Sequence, residues 1–133
     1  MIIQQVAIGA LIDPEGRVLF CKRPADKYIM PNLWEFPGGK VRKDELPEKT
    51  LTRELNEELG IETWASCLAP VTFVSHNYAD FNVILFLFIC RKWEGIPQPM
   101  EGQELMWVNR NELRDYEMPE ANSYLVAILR DWI

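Results

Sequence analysis

The chain lacks most of the features that would assign it quickly. Its three cysteines, Cys21, Cys67 and Cys90, are odd in number and none falls in a CxxC spacing. Without a secretory context they read as reduced, buried small hydrophobes of a cytoplasmic protein. Basic residues are in deficit, 14 Lys and Arg against 20 Asp and Glu, for a formal net charge of −6. Such a field repels polyanions and offers no surface for a nucleic-acid polymer, although small anions can enter together with metal ions. Long apolar runs are missing too. Val83 to Cys90 is too short to span a bilayer, and Met1 to Ile12 is interrupted by Gln4 and Gln5 and has no basic flank. Neither a membrane segment nor a signal peptide is expected. The only histidine, His76, matches no motif and reads as a surface or loop residue. No repeat or low-complexity linker divides the 133 residues, of which 48% are hydrophobic. One domain over 1–133 follows, a monomer by default.

What is present is a regular alternation of strand and helix signals. Ile2 to Ile12 and Arg17 to Lys22 read as strands joined through Asp13-Pro14-Glu15-Gly16, a reversing turn, so a hairpin is expected. Pro24 to Asn32 is loop-like, and the paired Gly38 and Gly39 mark a sharp turn. Pro47 suits the first turn of a helix running through Leu59 to a stop at Gly60, with Leu51, Leu55 and Leu59 as its core stripe. Strand-like segments follow at 61–76, 82–93 and 104–108, then a short helical turn at 111–116. Glu120 to Trp132 closes the chain as a helix with Leu125, Ile128 and Leu129 inward. Strands interleaved with two helices predict an α/β layered domain on a mixed sheet.

One helix carries Glu54, Glu57 and Glu58 within a single turn. Positions i, i+3 and i+4 are neighbours, so the three charges repel one another. A solvated acidic face is the ordinary reading of such a run. Two features point further. Gly38-Gly39 bares backbone near the helix, and a carbonyl beside carboxylates is the all-oxygen setting that Mg²⁺ prefers. Arg53 follows Glu45 at a spacing that lets the loop fold back into a two-pronged ion pair. That pair braces the loop.

Gly39, Glu45, Arg53, Glu54, Leu55, Glu57, Glu58, Gly60 and Ile61 fill every fixed position of the Nudix box: Gly, five spacers, Glu, seven spacers, then Arg-Glu-apolar-x-Glu-Glu-x-Gly-apolar. The chain resembles the Nudix hydrolases. Leu33 to Val41, Trp93-Glu94-Gly95, Glu101-Gly102-Gln103 and Pro119 to Asn122 extend the likeness to the MutT group, whose members hydrolyse 8-oxo-dGTP. The resemblance implies an α/β/α sandwich with a mixed central sheet. It implies a Mg²⁺-dependent nucleoside-triphosphate pyrophosphohydrolase, with Mn²⁺ able to substitute, that attacks the β-phosphorus and releases a nucleoside monophosphate and pyrophosphate. The role implied is nucleotide-pool sanitation, which limits mutation during DNA replication.

By the same resemblance, Glu54, Glu57 and Glu58 meet metal, with the Gly38 carbonyl and Glu101 completing the oxygen shell. Glu54, then Glu101, are the general-base candidates. Arg23 matches a phosphate contact, and Lys22 beside it should face the other way. Glu35, Phe36 and Pro37 would line the nucleotide site, Glu35 and Phe36 supplying a ribose or base-edge contact and an apolar wall. The group has a histidine after the second strand; this chain has Lys27 and Tyr28 there, plus one additional residue before Phe36. Asn122 is the candidate base reader. A side-chain amide places a donor beside an acceptor, which suits the O6 and N7–H edge of 8-oxoguanine and not the two acceptors of guanine. A helix cap is the alternative role for Asn122. A pyrimidine or broad-specificity (d)NTP or CTP pyrophosphohydrolase is the nearest rival function, and a noncatalytic binding domain the more distant one. Such domains lose box glutamates, and here none is lost.

Overall fold

The computed structural model describes residues 2–24 and 32–133. Lys27 and Tyr28, and most of the expected loop from Pro24 to Asn32, lie outside the described residues. Among the described residues seven strands occur: β1 (Ile3–Leu11), β2 (Val18–Lys22), β3 (Trp34–Glu35), β4 (Gly38–Lys40), β5 (Leu68–Asn77), β6 (Asn82–Cys90) and β7 (Glu104–Val108). Two α-helices, α1 (Pro47–Leu59) and α2 (Glu120–Trp132), and two short 3₁₀ turns, at Ala65–Cys67 and Arg110–Asp115, complete the order.

The strands form a four-stranded sheet, β4-β1-β6-β5, and a three-stranded sheet, β3-β2-β7. In the first, β1 and β6 run parallel, while β4 and β5 are antiparallel to their neighbours, so the sheet is mixed. The expected β1–β2 hairpin is only begun. Asp13 organises the turn by accepting the Glu15 and Arg17 N–H groups at 3.0 and 2.8 Å, and a single bridge joins Ile12 to Val18. The strands then part because both edges of β1 are already taken by β4 and β6, leaving β2 to pair with β3 and β7. The segment 61–76 also breaks. Glu62 bridges Glu94, a 3₁₀ turn intervenes, and β5 starts only at Leu68.

Side chains alternate across a strand, and here the alternation builds two cores. Ile8, Ala10 and Ile12 of β1 and Val83, Leu85, Leu87 and Ile89 of β6 meet Leu125, Val126 and Leu129 of α2. Ala7 and Leu11, with Phe88 and Cys90, turn the other way onto Leu51, Leu55 and Leu59 of α1. One helix on each face makes the α/β/α sandwich. The three α1 leucines are completely buried, each contributing ~1.5–3 kcal/mol through area removed from water. Ile128 is half-buried, and Val126 takes the inward place expected for it. The α1 helix ends as read: Gly60 adopts φ 70° and donates its N–H to the Asn56 carbonyl at 2.9 Å.

Gly38 and Gly39 are not a sharp turn. They lie in β4, opposite Ile8 and Ala7 of β1. Their small size is spent on close approach instead of reversal. A Cβ on Gly38 would collide with the Ala7 carbonyl and sit 2.7 Å from Ile8 Cα, and one on Gly39 would enter the Glu54 carboxylate.

Candidate active site

The loop before α1 is held as its sequence spacing suggests. Arg53 donates from Nε to Glu45 Oε2 at 2.9 Å and from Nη2 to Glu45 Oε1 at 3.0 Å, a two-pronged pair. Glu45 also accepts from Thr50 Oγ1 at 2.7 Å and the Arg42 N–H at 3.1 Å. The hydrogen bonds from Arg53 and Thr50 hold its carboxyl down to about 2. Arg53 reaches further than the brace. Its Nη1 donates to Glu54 Oε1 at 2.8 Å and Glu57 Oε2 at 3.4 Å, and Nη2 meets the Lys40 carbonyl at 3.3 Å. One guanidinium therefore ties the loop, β4 and two of the helix glutamates together.

Glu58 faces a different neighbour. Its Oε2 accepts the Gly38 N–H at 3.1 Å, which anchors the helix to the glycine strand. Burial, followed by the field of Glu54, pushes its carboxyl up to about 9, and Glu101 and Glu35 press in the same direction. Glu54 is raised as well, first by burial and then by Glu57 and Glu101, against the opposing pull of Arg53. Burial first, and neighbouring negative charge after it, thus hold both carboxyls above the usual range. Among the described residues no three acidic side chains already converge at metal-ligand distance; Arg53 holds Glu54 and Glu57, and Gly38 holds Glu58.

The loop carrying Glu101 is fastened to the carboxyl end of α1. The N–H groups of Gln98 and Met100 donate to the Leu59 and Glu58 carbonyls at 2.9 and 3.1 Å. Gln103 Nε2 donates to the Glu58 carbonyl at 3.0 Å, while its Oε1 accepts the Glu101 N–H at 2.9 Å. Gln103 thus carries Glu101 to the helix. Nothing in the local sequence of Glu101-Gly102-Gln103 signals this role of the glutamine, because its partner Glu58 lies 45 positions away.

Beside these groups lies a cavity of about 420 Å³. Arg23, Glu35, Phe36, Pro37, Gly38, Glu58, Glu101 and Asn122 all line it, so most of the residues singled out in the sequence meet at one place. Glu54 and Glu57 stand outside that wall on the Arg53 side. Arg23 donates to Glu35 Oε1 at 3.0 Å, and Lys22 lies 5.7 Å over the Trp34 ring, so the adjacent cations face different partners. Burial raises the Glu35 carboxyl despite Arg23. Phe36 is packed edge-on against Phe20 at 5.4 Å and forms an apolar wall.

Asn122 is 7% exposed and does not act as a helix cap. The N-cap of α2 is Pro119, and Asn122 Oδ1 is buried without a hydrogen-bond partner among the described residues. Other wall residues carry no signal in the sequence. Tyr78 and Phe81 come from the β5–β6 connection, where no local pattern announces a pocket, and Cys21 enters because it is paired with Glu35 across β2 and β3. Burial pushes the Cys21 thiol well up, aided by the fields of Glu58 and Glu35, so it is a wall and not a nucleophile. His76 also departs from expectation. It belongs to β5, its side chain is only 15% exposed, and it faces Glu120.

An acidic helix braced by an internal arginine, set against a glycine strand and opening onto a mixed-polarity cavity, defines the class. The NUDIX domain family matches residues 7–127, and the chain belongs to the Nudix hydrolases, which cleave phosphoanhydride bonds. It is 32% identical over 126 residues to the 8-oxo-dGTP diphosphatase of Escherichia coli (strain K12), covering 95% of each chain. It is 34% identical over 115 residues to the CTP pyrophosphohydrolase of the same organism, covering 86% of this chain and 83% of that one. The solution structure of the E. coli ORF135 protein superposes with a TM-score of 0.84 at 30% identity, over 98% of this chain and 91% of that one.

Proposed function

We propose that this chain is a divalent-cation-dependent nucleoside-triphosphate pyrophosphohydrolase acting on 8-oxo-dGTP, with 8-oxo-dGMP and pyrophosphate as products. The observation that carries the base assignment is the orphaned Oδ1 of Asn122 in the cavity wall. A buried acceptor without a donor costs ~1–3 kcal/mol. The O6/N7 edge of guanine offers no hydrogen to it; oxidation at C8 places N7–H there, beside O6 for the amide to donate to. The ligand completes what the fold leaves open.

A triphosphate enters so acidic a site only with cations. The donor chemistry fits one: Glu54, Glu57, Glu58 and Glu101, with the Gly38 carbonyl, form an all-oxygen set in which burial, and after it the field of neighbouring glutamates, raises Glu54 and Glu58. Those residues would hold Mg²⁺, or Mn²⁺ in its place. When bound, the cation neutralises phosphate oxygens and makes water a competent nucleophile. The chain itself positions the rest. Arg23 contacts phosphate at the cavity mouth, and Glu54, or Glu101 across from it, takes the proton as water attacks the β-phosphorus in line with the departing nucleoside monophosphate. Arg53 keeps Glu54 at the edge of the site, held to the brace by its 2.8 Å bond.

The 34% identity to a CTP pyrophosphohydrolase favours one second reading, because the cytosine amino group also supplies a donor to Oδ1. Pyrophosphate release from 8-oxo-dGTP, dGTP and CTP with Mg²⁺, for the wild type and Asn122→Ala, decides. Expected is a higher kcat/KM for 8-oxo-dGTP than for dGTP that collapses in the variant. An unchanged ratio removes Asn122 as base reader, CTP as the best substrate selects the second reading, and no turnover on any of them leaves a binding domain.

A further inference from the structure

The first turn of α2 presents an arrangement that the reaction scheme does not use. A helix start needs acceptors for its free N–H groups, normally from a Ser, Thr, Asp or Asn side chain at the N-cap. Here that position is Pro119, which has no such group, and no N-cap side chain bonds the turn. The acceptor comes from elsewhere. Tyr78, 43 positions earlier, offers its phenol oxygen to the Ala121 N–H at 3.0 Å. Ala121 directly precedes Asn122, and Tyr78, Ala121 and Asn122 all line the cavity.

The phenol is itself fixed in place. The Tyr78 N–H donates to the Phe81 carbonyl at 2.8 Å, closing the β5–β6 turn, and its ring packs against Phe81 at 5.1 Å and His76 at 4.5 Å. His76 Nε2 lies 3.2 Å from Glu120 Oε2, and the Tyr124 hydroxyl donates to Glu120 Oε1 at 3.2 Å. His76 and Tyr78 on one side, Glu120 and Tyr124 on the other, clamp the end of β5 to the start of α2. A side chain set on the third residue of a helix moves when the first turn frays.

We infer that Tyr78 is a positioning residue for base selection: its hydroxyl caps α2 in place of Pro119 and so sets the Asn122 amide against the base edge. This rests on Asn122 reading the base. The Tyr78→Phe variant keeps the ring in the wall and removes only the cap. The readout is the ratio of kcat/KM for 8-oxo-dGTP to that for dGTP, measured below each variant's melting transition. The ratio falls by up to about fivefold, the worth of a typical lost cap, chiefly through KM for 8-oxo-dGTP. Adding Tyr78→Phe to Asn122→Ala lowers it no further, and adding Pro119→Asp to Tyr78→Phe, which restores a local cap, recovers it. A wild-type ratio in Tyr78→Phe, while Asn122→Ala collapses it, overturns the role of Tyr78 and leaves the base reading standing. Equal falls with and without Asn122, or no recovery with Pro119→Asp, also overturn it. If Asn122→Ala leaves the ratio unchanged, the base reading itself fails.

Discussion

Replacing Gly39 by alanine probes the link between the glycine strand and the carboxylate helix with a single methyl group. Gly39 has no positive φ, so the backbone tolerates a side chain there. The obstacle is Glu54, whose Oε1 and Oε2 would lie 2.5 and 2.7 Å from the new Cβ. To reach ordinary contact near 3.4 Å the carboxylate must retreat by most of an ångström. It is the free end of a flexible side chain, so the stability cost falls at the low end for overpacking, ~1 kcal/mol. That is a drop of roughly 3–5 °C in melting temperature for a chain of this size. The retreat also stretches the 2.8 Å bond from Arg53 and displaces a group at the edge of the reaction. A misplacement of that size costs on the order of a hundredfold in kcat. Steady-state pyrophosphate release and thermal melting measure both, and Glu54→Ala supplies the control. With the carboxylate gone the new methyl meets nothing of it, so Gly39→Ala costs no melting temperature in that background. Wild-type kcat in the single variant, or the same melting loss in both backgrounds, would refute this account of why glycine stands at position 39.

Gly38→Ala should behave differently. Its Cβ meets the backbone of Ala7 and Ile8, which cannot step aside, and its φ is 150°; the expected result is loss of folded protein, read by circular dichroism. The Glu45 carboxyl, held down to about 2 by Arg53 and Thr50, has a folded value below its unfolded one. Its contribution to stability is therefore complete above about pH 4.5 and is lost as the pH falls toward 2. Acid titrations followed by fluorescence should show wild type and Glu45→Gln converging over that window; a constant gap would show that the ion pair is not what stabilises the loop. Glu57→Gln keeps shape and removes a charge, and should lower Mg²⁺-dependent turnover by at least the roughly 10–100-fold that losing an outer-sphere partner of a metal costs. Near-normal turnover would remove Glu57 from the cation set.

The readable parts of this protein are those whose cause is local. Pro47 at the start, leucines every fourth residue and Gly60 at the end specify α1 within fourteen residues, and the helix forms with those bounds. Glu45 and Arg53 find each other because they stand eight positions apart, across one loop and two helical turns. Residues 120–132 carry their own periodicity and close the chain as expected. The same locality misled where a partner elsewhere decided the outcome. Asp13 to Gly16 does make its turn, yet the strands it joins separate, since β6, more than seventy residues on in sequence, takes the edge of β1 that a hairpin would need. Gly38-Gly39 looks like a reversal and is a strand, because its glycines answer to Ala7 and Glu54 instead of to their neighbours.

The cavity shows the same division. By itself the sequence determined the family, the acidic helix and its brace, since nine positions in one continuous stretch carry that pattern. It also named Asn122, without distinguishing a cap from a base reader. Only the tertiary structure removed the cap role, by placing Pro119 at that position, leaving Oδ1 buried and without a partner among the described residues, and bringing Tyr78 across from another layer to hold the helix start. A hydrogen bond between residues 43 apart leaves no trace in local spacing. Its geometry exists only once two sheets and two helices have fixed where each element ends.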